Sequence, residues 1–190
     1  EFLAVNLFAL DHVSGLFRTF YELYRTDTQS IIAGSNQAFC RFSPSGQQMV
    51  LSNFDGVELY DRGISSIRLV QSFPGAIQLF FSPSNTFKVV RFADGFLKVY
   101  SADMQSELMN LSDVAYCSFS QNDKYMGVQL RNGGAFHLYD TTTMQEVGSP
   151  LVARTHTYRH PLFSSDGKRL TVNFADNSLG IYDTSYLSQV

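Results

Sequence analysis

The sequence contains no tryptophan, only two cysteines and few charged residues. Charged side chains make up 16% of the 190 residues, the net charge is −3 and the pI is near 5.7. An acidic pI without a basic stripe argues against direct contact with nucleic acid. No apolar run approaches the roughly 18 residues of a membrane-spanning helix, so we expect no membrane insertion. No basic segment precedes the first apolar residues, so no signal peptide is predicted.

Motifs that carry catalytic or metal chemistry are also missing. The sequence has no phosphate-binding glycine loop, no Gly-x-Ser-x-Gly nucleophile elbow and no Cys-x-x-Cys-His haem site. His156 and His160 are four residues apart, but they fall in a strand-rich region, where this spacing does not place them on one helical face. We therefore predict no catalytic residues, no metal site and no cofactor, and we expect that the chain is not an enzyme.

What the sequence does contain is a unit of about 40 residues that occurs four times. Each copy has an apolar strand ending in Phe-Ser, a turn, a second strand, a second turn and a third strand ending in Tyr. The Phe-Ser pairs begin at Phe42, Phe81, Phe119 and Phe163, and the closing tyrosines are Tyr60, Tyr100, Tyr139 and Tyr182. Fourth strands are predicted in the gaps, at Ser66 to Phe73, Met104 to Met109 and Met144 to Val147. The pattern predicts four-stranded antiparallel sheets with almost no helix.

The second strands of the four copies alternate polar and apolar residues in the same register. Ser52, Arg91, Gln129 and Asn173 share one position, and Leu51, Val90, Val128 and Val172 share the position before it. Such alternation gives each strand two distinct faces. The 17 Phe and 10 Tyr residues suit packing between sheets better than stacking on nucleic-acid bases.

These units resemble degenerate WD40 repeats over roughly Leu3 to Asp183. The resemblance is carried by strings such as Phe-Ser-Pro-Ser-Gly with Val-Glu-Leu-Tyr-Asp, and Phe-Ser-Ser-Asp-Gly with Leu-Gly-Ile-Tyr-Asp. It implies an all-β β-propeller built from four-stranded antiparallel blades. Tyr stands where the family has the Trp of its Trp-Asp dipeptide, and no Gly-His dipeptide precedes a repeat. In the family, a His, an Asp, a Ser or Thr and the Trp form a buried hydrogen-bond network. This network is therefore expected to be absent from most blades.

A truncated copy precedes the four full ones, because Leu3 to Leu7 match the second strand at Leu170 to Phe174. The predicted blades are 1–33 (truncated), 34–73, 74–110, 111–150 and 151–190. About four and a half blades are fewer than the seven or eight of a typical WD40-like propeller. We expect the chain to be part of a seven- or eight-bladed propeller whose remaining blades come from other sequence or from another chain. Closure with five blades is the alternative.

The segment from Phe8 to Thr19 is longer than its counterparts in the other copies. It is predicted to be an apolar loop, either packed on its own blade or used to bind a partner. Any short helical turn is expected in this loop.

The two cysteines occupy equivalent first strands, Cys40 two residues before Phe42 and Cys117 two residues before Phe119. Because the copies that contain them lie two blades apart, their Cα atoms should exceed the ~7 Å that a disulfide allows. We predict two free thiols, which suits an intracellular location, cytoplasmic or nuclear.

Two functional hypotheses follow. The first is a non-catalytic scaffold that binds other protein subunits of a larger assembly through the loops before first strands and between second and third strands. Its predicted partner-binding residues are His12, Phe17, Phe54, Arg91, Arg131, His156 and Tyr158. The second is an enzymatic propeller that resembles lactonases or related hydrolases, whose repeats use similar Phe-Ser-x-Asp-Gly strings and hold a central metal.

Overall fold

The computed structural model describes residues 2–10, 17–25, 30–35, 39–52, 54–63, 67–131, 135–152, 162–173 and 178–187. Of these, residues 2–39, 152, 173, 186 and 187 are described by their backbone alone. The chain forms two compact units, Glu1–Phe80 and Phe81–Val190.

The first unit contains two antiparallel meanders and the start of a third. The first meander has the order β1-β2-β3 and the second β4-β5-β6-β7. The strands are β1 (Phe2–Leu10), β2 (Phe17–Arg25), β3 (Ser30–Ser35), β4 (Phe39–Phe42), β5 (Gln48–Ser52), β6 (Gly56–Arg62) and β7 (Ile67–Pro74), followed by β8 (Ala76–Phe81).

The second unit continues the same pattern. Its sheets have the orders β11-β10-β9-β8, β12-β13-β14-β15 with β16 also paired to β14, and β17-β18-β19. The strands are β9 (Phe87–Phe92), β10 (Leu97–Ser101), β11 (Glu107–Leu111), β12 (Val114–Phe119), β13 (Tyr125–Leu130), β14 (Ala135–Asp140), β15 (Gln145–Glu146), β16 (Leu151–Val152), β17 (Leu162–Phe163), β18 (Arg169–Asn173) and β19 (Leu179–Asp183). A single turn of helix, α1 (Thr184–Leu187), follows β19. The prediction of an all-β chain of antiparallel, blade-like sheets is confirmed.

The Phe-Ser signature has a structural reason that recurs in four sheets. In each, the serine hydroxyl accepts a hydrogen bond from the backbone N–H five residues later, which closes the turn between the first and second strands. The bonds join Ser43 to Gln48 at 3.0 Å, Ser82 to Phe87 at 3.0 Å, Ser120 to Tyr125 at 2.9 Å and Ser164 to Arg169 at 2.9 Å. The third residue after each serine has a positive φ of 54° to 69° and is Gly46, Asn85, Asp123 or Gly167.

The predicted loop from Phe8 to Thr19 is wrong at both ends. β1 and β2 remain paired up to Leu10 and Phe17, through Phe8 with Thr19 and Ala9 with Arg18. The apolar residues at these ends belong to a longer hairpin rather than to a loop, because alternation of large apolar residues favours continued strand pairing. The helical turn expected in this segment falls on residues 11–16, which lie outside the described part of the chain.

The core of the second unit lies between neighbouring sheets. Leu170 and Val172 of β18 form one buried cluster with Tyr125, Phe136 and Leu138 of the preceding sheet. Phe163 and Tyr182, two of the repeat's signature aromatics, pack against the same cluster. These signature aromatics of the repeat therefore take part in packing the last sheet on the sheet before it. No helix in the described residues is long and apolar enough to cross a membrane.

Candidate protein-binding surface

In both units the turn between second and third strands lies next to the junction that leads into the following sheet. In the first unit the Gly75 N–H donates to the Asp55 carbonyl at 2.8 Å. In the second, the Val114 N–H donates to the Gly95 carbonyl at 2.9 Å. Loops before first strands and loops between second and third strands therefore share one end of a sheet, as the scaffold hypothesis requires.

Two of the predicted residues, Arg91 and Arg131, converge on this end of the second unit. Arg91 is on β9, and its Nη1 donates to the Ala115 carbonyl at 2.7 Å. Arg131 follows β13, and its Nε donates to the Val114 carbonyl at 3.2 Å. Both guanidinium groups thus lie around the first two residues of β12.

Arg131 also reaches back to the preceding sheet. Its Nη2 lies 3.4 Å from the Ala93 carbonyl, and its own backbone N–H donates to Asp113 at 2.8 Å. Gly95 lies beneath the guanidinium, since a Cβ at this position would be 3.1 Å from Nη1 of Arg131. Gly95 has a φ of +97°, which side chains rarely adopt, so the turn and the arginine both favour glycine here.

The charges of the two arginines have no carboxylate partner among the described residues. Burial lowers the pKa of Arg91, and the nearby positive charge of Arg131 lowers this pKa further, while Cys117 opposes the shift. Arg91 nevertheless keeps its charge, because a guanidinium loses its proton only at very high pH. Two neighbouring cations that bond to backbone carbonyls favour the approach of an anionic group from solvent.

An exposed aromatic residue borders the two arginines. Phe96, with 44% of its surface exposed, directly follows Gly95. This turn is one residue longer than the turn of the preceding copy. Asp94 lies six residues before the closing Tyr100, whereas Asp55 lies five residues before the closing Tyr60. Sequence reasoning missed Phe96, although this extra residue was the signal that could have revealed it. We call Arg91, Arg131 and the turn Ala93–Phe96 the arginine surface.

The remaining predicted residues are more dispersed or lie outside the described chain. Phe54 is 98% exposed in the turn between β5 and β6 of the first unit. Phe17 begins β2, where its backbone pairs with Leu10. His12, His156 and Tyr158 lie outside the described residues.

Both cysteines are free thiols, as predicted. Burial raises the pKa of Cys40 to about 11 and places that of Cys117 far above its usual range. Such thiols are poor nucleophiles and poor metal ligands at neutral pH. Within the described residues, no group of three or more His, Cys, Asp or Glu side chains is arranged to hold a metal ion.

No family model matches the chain. A curated protein from Dictyostelium discoideum, the periodic tryptophan protein 2 homolog, is 25% identical over 146 residues. The match covers 72% of this chain but only 16% of that WD-repeat protein, so the chain spans a small part of its length.

A solved structure with a similar fold comes from Bacteroides uniformis and is described as a candidate 6-phosphogluconolactonase. It superimposes with a TM-score of 0.61 over 98% of this chain and 76% of that chain, at 13% identity. Identity this low shows a shared fold alone. Together the two similarities support a WD40-like, propeller-type architecture.

Proposed function

We propose that this chain is a segment of a WD40-like propeller that acts as a non-catalytic scaffold in an intracellular protein assembly. The single observation that carries this proposal is the arginine surface, where two cations without a carboxylate partner in the described residues stand beside an exposed Phe. Arginine and aromatic side chains are enriched at protein interfaces. The similarity to a WD-repeat protein points in the same direction.

The expected partner is a protein segment that presents one or more carboxylates. A carboxylate can accept paired hydrogen bonds from a guanidinium group, and both arginines already lie close enough to share one ligand chain. An apolar residue next to that carboxylate would contact Phe96. We also propose that the chain contributes its sheets to a larger propeller of seven or eight blades.

Capture of partners by immobilised protein tests the proposal. Wild-type chain and the double variant Arg91→Glu with Arg131→Glu are incubated with extract from the source, and the retained proteins are quantified by mass spectrometry. A specific partner should be retained at least about tenfold less by the variant, and more weakly by wild-type protein as salt is raised.

Arg68→Glu is the matched control. Arg68 has a side chain that is 76% exposed and forms a surface ion pair with Asp61 at 2.6 Å, remote in sequence from the arginine surface. Its charge reversal should leave partner retention unchanged. Equal losses for Arg68→Glu and the double variant would show that retention reports net charge, and the proposal would fail.

The second candidate is an enzymatic propeller, favoured by the similarity in fold to a candidate 6-phosphogluconolactonase. Metal analysis of purified protein together with assays on lactones and esters would decide between the two. Stoichiometric metal with turnover would favour the enzyme, whereas partner capture that depends on the arginine surface would favour the scaffold.

A further inference from the structure

The last sheet, formed by β17, β18 and β19, has one apolar face that is exposed. Leu162 and Ile181 each expose 63% of their surface, and Leu179 exposes 56%. Strand pairing aligns Leu162 and Ile181 with Thr171 between them, so these side chains share a face. The other face carries Leu170 and Val172, which are buried in the core.

Equivalent residues in the three preceding sheets are buried. Measured from the closing tyrosine, Ile181 and Leu179 are the residues one and three positions earlier. The corresponding pairs are Leu59 and Val57 (0% and 1% exposed), Val99 and Leu97 (both 0%), and Leu138 and Phe136 (4% and 1%). The exposure of the last pair is therefore a departure from the repeat, and it is not a general feature of these positions.

The structure shows what covers this position in the preceding sheet. Phe136 and Leu138 of β14 pack in one cluster with Leu170 and Val172, an aliphatic pair two residues apart on the second strand of the next sheet. The contact therefore joins two different faces of the repeat. One sheet contributes the face that carries the apolar residues of its third strand, and the next sheet contributes the face that carries the apolar residues of its second strand. Close packing leaves no space there, since a Cβ on Gly127 would lie 2.3 Å from the ring of Phe136 and 3.4 Å from that of Phe163.

We propose that the face formed by Leu162, Leu179 and Ile181 docks a further blade of this repeat type, encoded by sequence other than these 190 residues. The second strand of that blade presents an aliphatic pair equivalent to Leu170 and Val172. If two copies of the chain packed through this face, each would present the same third-strand residues to the other. The contact between β14 and β18 instead joins third-strand residues of one sheet to second-strand residues of the next. The inference rests on the proposed membership of a larger propeller and is independent of the arginine surface.

Site-specific photo-crosslinking tests the occupant. A photoreactive benzoylphenylalanine replaces Ile181 in tagged protein expressed in its source, and crosslinked peptides are identified by mass spectrometry. We expect a peptide that follows a Phe-Ser turn and carries the aliphatic pair of a second strand. The control probe replaces Leu108 of β11, which is also exposed, at 38%, and should crosslink to this peptide at least about tenfold less.

A second experiment combines the substitution Leu179→Glu with the photoreactive residue at position 181. The substitution should abolish the crosslink while leaving capture by the arginine surface unchanged, and Arg91→Glu with Arg131→Glu should do the reverse. A crosslink to a peptide of these same 190 residues would overturn the inference, whether it forms within one copy or, as isotope-labelled protein would reveal, with a second copy. So would a crosslinked segment without the repeat, or equal yields at positions 181 and 108.

Discussion

Lys88 occupies a position where the other sheets bury an apolar side chain. In the repeat register it corresponds to Met49, Met126 and Leu170, and like them it is 0–2% exposed. Its ammonium group donates to the Ala102 carbonyl and lies 5.9 Å from the centre of the Phe81 ring. These contacts offset part of the cost of removing a charge from water, which is several kcal/mol for a buried ion.

Lys88→Met should therefore leave stability unchanged or raise it, by about 1 kcal/mol, because well-packed apolar residues often replace buried charges without loss. Urea denaturation monitored by circular dichroism measures the change. Lys98→Met is the matched control, since Lys98 forms a surface ion pair with Glu107 at 2.8 Å and its replacement should leave the urea midpoint nearly unchanged. A loss above about 1 kcal/mol for Lys88→Met would show that the lysine is a net stabilising residue.

The arginine surface shows how far single residues could be predicted. The register of the copies was enough to place Arg91 and Arg131 near the turns between second and third strands. That both guanidinium groups bond to the start of β12 could not be predicted from the sequence. It depends on where β12 begins and on the left-handed backbone conformation of Asp113, which has a φ of 59°. Phe96 lies in a turn that has one residue more than that of the preceding copy, a difference that repeat alignment treats as a gap.

At the scale of elements, sequence patterns located strands well and their ends less well. The predicted strand Ser66 to Phe73 is β7, Ile67–Pro74, almost unchanged. The strand predicted at Met104 to Met109 begins only at Glu107, because Met104 adopts a φ of 64° and its N–H closes a turn onto the Ser101 carbonyl. Apolar side chains alone do not distinguish such a turn residue from a strand residue.

Asp123 links the first turns of two neighbouring sheets. Its Oδ2 accepts hydrogen bonds from the Ser82 hydroxyl at 2.6 Å, the Ser84 N–H at 3.2 Å and the Ser84 hydroxyl. Gly167, at the equivalent position one sheet later, has no side chain, and Asn122 occupies that space, with Oδ1 2.8 Å from the place of a Cβ. The same left-handed position is thus used for two different contacts between sheets.

Asp123→Gly preserves the backbone conformation, since glycine readily adopts a positive φ, but removes these bonds. We expect a loss of about 1–3 kcal/mol because the buried Ser82 hydroxyl, together with the exposed Ser84, loses its carboxylate acceptor. A double-mutant cycle with Ser84→Ala should give a coupling energy of at least about 0.5 kcal/mol. Asn85→Gly, at the equivalent position of the preceding sheet, is the control for the backbone effect, and a comparable loss there would contradict the assignment to the carboxylate.

The first turn of the last sheet should make stability depend on pH. Asp166 Oδ1 accepts hydrogen bonds from the Ser164 hydroxyl at 2.6 Å and from the Lys168 N–H at 3.0 Å, and these bonds lower the pKa of Asp166 below its ordinary value. A carboxyl group whose pKa is lower in the folded than in the unfolded protein stabilises the folded state at pH values above the unfolded pKa. This stabilisation is lost as the pH falls through the folded pKa.

Asp166→Asn should therefore lose less stability than wild-type protein between about pH 5 and pH 3, because the amide does not titrate. Urea midpoints measured across this range test the prediction. Ser164→Ala removes the hydroxyl donor and should also reduce the pH dependence. An unchanged acid slope in Asp166→Asn would assign the dependence to other carboxyl groups, of which Asp103 and Asp183 have a lowered pKa for the same reason.

At the scale of the whole molecule, stability in a repeat protein is the sum of each unit and its contacts with immediate neighbours. Within Phe81–Val190, β9 and β10 bury Val89, Val90, Leu97 and Val99 completely, at 0% exposure. The last sheet buries Leu170 and Val172 on one side but exposes Leu179 and Ile181 on the other. Its two faces therefore contribute unequally to its stability.

Hydrogen exchange of the isolated chain should consequently decrease in protection toward the last sheet. Amides of β9 and β10 should exchange most slowly, those of β13 and β14 next, and those of β18 and β19 fastest, because local opening costs less where fewer apolar contacts are broken. Exchange measured by mass spectrometry on peptides from each sheet tests this order. Ile181→Ser should change the exchange of β19 little, since its side chain is already largely in water, whereas Leu170→Ala should accelerate exchange in both β18 and β14. Uniform protection of all these strands would instead mean that another surface covers Leu179 and Ile181 in the isolated chain.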